Sequence, residues 1–181
     1  RSAVAVAEAL GAAIRSRVVE DDGGRLRFRH DLIRDSIYED LPVGVRRGLH
    51  HEAAVRLARA GRPVLRVAEH FARGAEDGDD EAVEWLVKAA RHAAPGSSAA
   101  AADLLDRAIR LLRPDDPRRD RLLIDRAGAL LLGGRIAEAA AISGRLLDRP
   151  HDAAVTGAAR MCLARALLAG GDLGAGLAQL E

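Results

Sequence analysis

Two stretches decide the fold: ALLLGGRIAEAA, residues 129–140, and ALLAGGDLGAGL, residues 166–177. They stand 37 residues apart, and each reads as an apolar run, a Gly-Gly pair and a second run rich in small residues. A helix that stops at Gly-Gly and restarts at once makes an antiparallel pair, because glycine adopts the left-handed backbone that closes a helix without a steric penalty. Gly134 is therefore the expected turn between two helices. Ala127 and Ala139 are the small side chains where they touch, and Leu130 packs between them. A helix pair cannot bury its apolar face alone, so a pattern repeated at this period predicts a stack of such pairs.

One unit earlier, Trp85, Ala89, Ala101, Ala108 and Pro114 fall in the same phase, and Pro150 stands near the close of the unit after it. Small residues at helix contacts and a closing proline resemble the tetratricopeptide repeat, whose period is about 34 residues. The resemblance implies a right-handed α-solenoid over residues 61–181. The spacings are irregular and the repeat's paired glycine and tyrosine are mostly missing, so an irregular helical bundle stays open as the alternative. Helices are expected at 64–75, 80–94, 98–112, from Asp116-Pro117 to Gly133, at 135–148, from Asp152 to Gly170, and from Asp172 onward. Ser97 and Ser98 read as caps, not nucleophiles. The acid pairs Asp79-Asp80 and Asp115-Asp116 sit at helix starts, where the helix dipole favours negative charge.

Composition fits an all-helical body. Of 181 residues, 49% are apolar and only 2% aromatic, so the core must be built from Leu, Ala, Val and Ile. Net charge is +1, too low to make the whole molecule an attractor for nucleic acid. Residues 1–73 hold 14 Arg against 10 acids. The single cysteine, Cys162, rules out an internal disulfide and a Cys-rich zinc site, and its neighbours Met161, Leu163 and Leu167 suggest a buried structural thiol. No run of about 18 apolar residues suggests a membrane span, and no signal peptide is visible, so a cytoplasmic location is expected. The chain starts at Arg1 and stops at Glu181 within apparent helices, as expected of a piece cut from a longer protein.

Residues 1–60 read differently. A short apolar helix at 3–16 leads to RVVEDDGGRLRFRH, residues 17–30. Asp22-Gly23-Gly24 is a hairpin turn. Leu26, Phe28 and His30 alternate with Arg25, Arg27 and Arg29, the period of a strand with one apolar face. Asp31 is placed to cap the helix that follows, with Leu32, Ile33, Ser36 and Ile37 on its inner face. A second helix at 43–60 turns Leu49, Ala53 and Leu57 inward. Helix, hairpin, helix is the order found at the end of a winged-helix domain.

The segment FRHDLIRDSIYEDLP, residues 28–42, sharpens this. Arg29-His30-Asp31 followed by Leu32-Ile33-Arg34 resembles the end of the winged-helix domain in STAND-class nucleotide-switch ATPases. These include LuxR-type large ATP-binding transcription regulators, maltose-regulon activators and plant disease-resistance proteins, where the motif reads Met-His-Asp. Arg46-Arg47-Gly48-Leu49-His50 and Val67-Ala68-Glu69-His70-Phe71 extend the likeness to the LuxR-type regulators. The resemblance implies that His30 contacts the β-phosphate of bound ADP in the intact protein and clamps its closed state. It implies ATP or ADP with magnesium on an ATPase domain upstream, a DNA-binding domain outside this chain, and an effector protein, peptide or small molecule on the concave face of the repeats.

The chain itself has no GxxxxGK[ST] phosphate loop and no Asp-rich magnesium segment. A lone His cannot replace the backbone donors and Lys of that loop, so the chain is expected to be non-catalytic and to hold no cofactor alone. His50 and His51 point about 100° apart on a helix, and His70 falls on another, so no metal site is expected. Two other readings stay open: a freestanding helical-repeat scaffold with no nucleotide link, and a winged-helix DNA-binding module that uses the Arg25, Arg27, Arg29 face.

Overall fold

The computed structural model describes residues 3–180, and the expected interruptions at Arg1 and Glu181 lie outside them. In order the elements are α1 (Ala3–Arg15), β1 (Val19–Asp21), β2 (Leu26–Phe28), α2 (Asp31–Asp40), α3 (Val43–Arg59), α4 (Val64–Gly74), α5 (Asp80–Ala93), α6 (Ser98–Leu111), α7 (Arg119–Leu132), α8 (Ile136–Leu147), α9 (Ala153–Ala169) and α10 (Leu173–Ala178). The chain divides into two compact units, 1–46 and 47–181. The division lies within α3, whereas the sequence suggested a boundary between residues 60 and 61.

The first unit holds the hairpin. β1 and β2 are antiparallel, with Val19 opposite Phe28 and Asp21 opposite Leu26. Gly23 (φ 62°) and Gly24 (φ 85°) form the turn, closed by the Asp22 N–H donating to the Arg25 carbonyl at 2.8 Å. Two consecutive positive φ angles are what a two-residue turn matched to strand twist requires. None of this unit's residues with a described exposure is buried. The inner face assigned to α2 is wrong in this structure: Leu32 is 84% exposed and Ile37 44%. A unit this small has too little interior to cover a helix face and a sheet face together.

The second unit is helical throughout, and its turns repeat. At the end of α7 the Gly133, Gly134 and Arg135 N–H groups donate to the carbonyls of Ala129, Leu131 and Leu130. At the end of α9 the same three bonds run from Gly170, Gly171 and Asp172 to Ala166, Leu168 and Leu167. At the end of α3 they run from Ala60, Gly61 and Arg62 to Arg56, Ala58 and Leu57. The pivotal glycines Gly61, Gly134 and Gly171 have φ of 60°, 77° and 91°. The α5–α6 turn at Ser97 uses no left-handed residue; there the Ser97 hydroxyl caps α6 by accepting from the Ala100 N–H at 3.2 Å. The described residues thus form four successive helix pairs, α3–α4, α5–α6, α7–α8 and α9–α10. The first pair begins with α3 at Val43, before residue 61.

Three apolar clusters hold the pairs together. Ala54, Val67, Phe71 and Ala82 join α3, α4 and α5. Leu86, Ala89, Ala101, Leu105, Ala108 and Leu122 join α5, α6 and α7. Ala127, Leu130, Ala139, Ile142, Leu146 and Ala159 join α7, α8 and α9. Ala127, Leu130 and Ala139 are fully buried, as the Gly134 turn implied. On α3 the inward residue is Ala54, and Leu49 is half exposed, because α4 meets a face one position further along. α7 starts at Arg119 and not at Pro117, because Asp116 instead receives the backbone and side chain of Arg118.

Two substitutions at one turn separate conformation from packing. Gly134→Ala should cost about 1–2 kcal/mol, since an L-residue must there be left-handed. Gly133→Ala should cost little, because Gly133 has φ −85° and an added Cβ meets only ordinary contacts. Leu130→Ala should cost about 2–5 kcal/mol by leaving a cavity. Urea unfolding of the three variants checks the order.

Candidate functional site

His30 occupies the N-cap position of α2, with extended backbone at φ −130° and ψ 127°. Its carbonyl accepts from the Ile33 and Arg34 N–H groups at 3.1 and 3.3 Å. Its ring is exposed and has no hydrogen-bond partner among the described residues. Asp31 does not cap the helix, as the sequence suggested. It is the first helical residue, and its carboxylate accepts from Arg34 at 2.9 Å. Arg34 also donates to Asp35 at 2.8 Å, and these two carboxylates raise the pKa of its guanidinium. The first N–H groups of α2 are thus left without a side-chain acceptor beside an exposed imidazole. On the hairpin, Glu20 reaches Arg29 at 3.6 Å and Arg27 at 3.8 Å. That carboxylate offsets part of the positive face a DNA-binding wing would need.

In the second unit a groove runs between α5 and α7. Its first part, about 680 Å³, is walled by Val83, Val87 and Lys88 of α5 and by Arg121, Leu122 and Asp125 of α7. The second part, about 490 Å³, continues over Ala101 and Leu105 of α6 to Leu132 and Cys162. Val87, Arg91, Arg121 and Asp125 line both parts. Cys162 is half-buried, not buried as the sequence suggested, and burial raises its thiol pKa. Arg118 at the groove mouth is held by Asp80 and Asp116. This pairing takes the Asp116 carboxyl down to about 2.

A second cluster was missed by sequence reasoning. His50 of α3 faces His70 of α4 with Nδ1 to Nδ1 at 3.0 Å, so one ring donates and the other accepts. His51 instead meets the Phe71 ring edge-on at 5.7 Å. Residues 50 and 70 stand almost symmetrically about Gly61, and that symmetry in an antiparallel pair was the available signal. No group of three or more His, Cys, Asp or Glu is placed to hold a metal ion among the described residues. Burial is the main cause that lowers both imidazole pKa values; Arg73 adds to it for both, His70 for His50 and Arg66 for His70, while Glu69 opposes.

This pair makes stability depend on pH. The folded imidazoles bind protons less readily than the unfolded ones, whose ordinary value is 6.5. Stability should therefore fall as pH drops through that value toward the lowered folded values. Urea midpoints taken from about pH 7.5 to about pH 5.5 should decline, and less so in His50→Gln/His70→Gln. An equal decline in the double variant would assign the effect to other groups.

No helix among the described residues is long and apolar enough to cross a membrane. No family model matches the chain, and no curated protein or solved structure matches it either.

Proposed function

We propose that this chain is the non-catalytic, partner-sensing segment of an ATP-dependent transcription regulator of the LuxR type, with its helix pairs as the surface that reads the partner. The observation that carries the proposal is His30. It stands at the junction of a wing-like hairpin and a helix, exposed and unbonded, beside backbone N–H groups that have no side-chain acceptor. A donor ring at a helix N-terminus suits a phosphate oxygen, because dipole and hydrogen bond act together. The resemblance of Arg29-His30-Asp31 to the nucleotide-switch motif supports reading that phosphate as the β-phosphate of ADP, bound on an ATPase domain of the same protein.

The groove between α5 and α7 supports the other half of the reading. Stacked helix pairs leave one ridged face open, and such faces bind peptides and proteins. A partner that prefers the open state of the switch shifts the population toward it by its difference in affinity for the two states. The chain supplies the sensor and not the chemistry, since its sequence has no phosphate loop.

Two measurements test this. Isothermal titration of the 181-residue chain with magnesium-ATP or ADP should give no saturable heat, and micromolar affinity would contradict the reading. In the protein that includes the ATPase domain, His30→Ala should lose one charge-assisted hydrogen bond, worth about 1.5–3 kcal/mol. ADP should then leave about tenfold faster or more. An unchanged ADP off-rate removes His30 from the switch.

A further inference from the structure

The groove also carries information about what fits it. Four cations line its first part: Lys88, Arg91, Arg118 and Arg121. Arg118 is committed to Asp80 and Asp116, and Arg121 faces Asp125 at 3.3 Å. Lys88 and Arg91 have no carboxylate partner among the described residues. Lys88 lies over the Trp85 ring at 4.4 Å instead of pairing with Glu84 one turn away. Glu84 has no cationic partner among the described residues either, but it lines only the first part of the groove, as Lys88 does, whereas Arg91 lines both. The uncancelled positive charge is therefore concentrated where the cationic part opens into the apolar one.

The apolar part has an unfilled floor. Leu132 at its edge is 71% exposed. Gly128 lies in the middle of α7, where glycine destabilises a helix relative to alanine. No atom lies within 4 Å of where its Cβ would stand, so no crowding accounts for a glycine here. Its missing side chain leaves the floor of the second part open.

We propose that the groove between α5 and α7 receives an extended peptide segment that sets an acidic side chain on Lys88 and Arg91 and an adjacent apolar side chain in the Gly128–Leu132–Cys162 compartment. An extended chain alternates its side chains between two faces. One face then meets the charged rim and the other the apolar floor. The carboxylate gains charge-assisted hydrogen bonds from two cations that have no internal partner. The proposal rests on the partner-sensing reading above and names the chemistry of the partner.

The test is a selection of random dodecapeptides displayed on phage against the full chain, followed by fluorescence anisotropy of the winning peptides. Peptides taken by the wild-type chain should be enriched in Asp or Glu next to Leu, Ile or Val. Their affinity should fall about tenfold or more in Lys88→Gln/Arg91→Gln, and on exchange of the peptide's acid for its amide. Gly128→Leu removes glycine from a helix interior and fills open space, so it should fold at least as stably while blocking the peptide. Bound peptide should slow the reaction of Cys162 with a maleimide. Winning peptides without acidic residues, affinity unchanged in Gly128→Leu, or no winning peptide at all would overturn the proposal. Peptides that bind without protecting Cys162 would overturn this groove and leave the partner-sensing reading standing. Groove binding in this chain, with no effect of the same peptide on ADP release in the protein that includes the ATPase domain, would defeat that reading and leave the groove.

Discussion

The second unit depends on how closely its helices approach, and alanine sets that distance. Ala54, Ala82, Ala89, Ala108, Ala127, Ala139 and Ala159 are all fully buried at contacts between neighbouring helices. Among the described residues, Phe71 is the one fully buried aromatic side chain. Close approach lets leucines such as Leu86, Leu130 and Leu146 interdigitate at native density without large rings. It also explains why the turns must be tight. A helix pair held this closely needs a glycine pivot or a short cap at its end, and Gly61, Gly134, Gly171 and Ser97 supply one in turn. Polar links then cross between the helices: Glu69 of α4 accepts from Arg107 of α6 at 2.8 Å, and Arg126 of α7 meets Asp106 of α6 at 3.2 Å. The Glu69–Arg107 pair is partly exposed and contributes little stability, whereas Arg126 and Asp106 are largely covered.

The same constraint shapes the functional surface. Once α5, α6 and α7 have committed their alanine and leucine faces to one another, Val83, Val87, Lys88 and Arg91 on α5 are left facing Arg121 and Asp125 on α7 across the groove. The first unit works by a different rule. Its hairpin is well specified by two glycines, but its helices have no interior to share, and Leu26, Leu32 and Val43 remain exposed. His30 is presented by this unit through backbone geometry alone, as the last extended residue before α2.

Much of the fold could be read in advance because its signals are local. Gly-Gly pairs, Asp79, Ser97, Asp152 and Asp172 mark helix ends through the backbone conformations and hydrogen bonds they favour, and each of these four caps is present. Burial was harder to read where it depends on what lies opposite. Leu32 and Leu49 are apolar and correctly spaced for a helix face, yet both are exposed. Ala54, one position from the residue chosen, is the one that meets α4. Asp31 looked like a cap because Asp favours that position, but His30 takes it and Asp31 turns to Arg34. The His50–His70 contact was hidden for another reason. It joins residues on different helices and shows only when the Gly61 turn is used to fold one helix back on the other. The groove's charge was illegible for the same reason, since whether an arginine is free or paired is decided across helices.

Order in this chain is built from the alanine-spaced helix pairs, and the described residues of the first unit have no core of their own. Amide hydrogen exchange of the chain, followed residue by residue, tests this directly. Amides of Leu86, Leu105, Leu130 and Ile142 should exchange together and only through the slow cooperative opening of the second unit, while those of α1, the hairpin and α2 exchange orders of magnitude faster. Equal protection across both units would show that the first has an interior this account denies it, and would contradict the central claim.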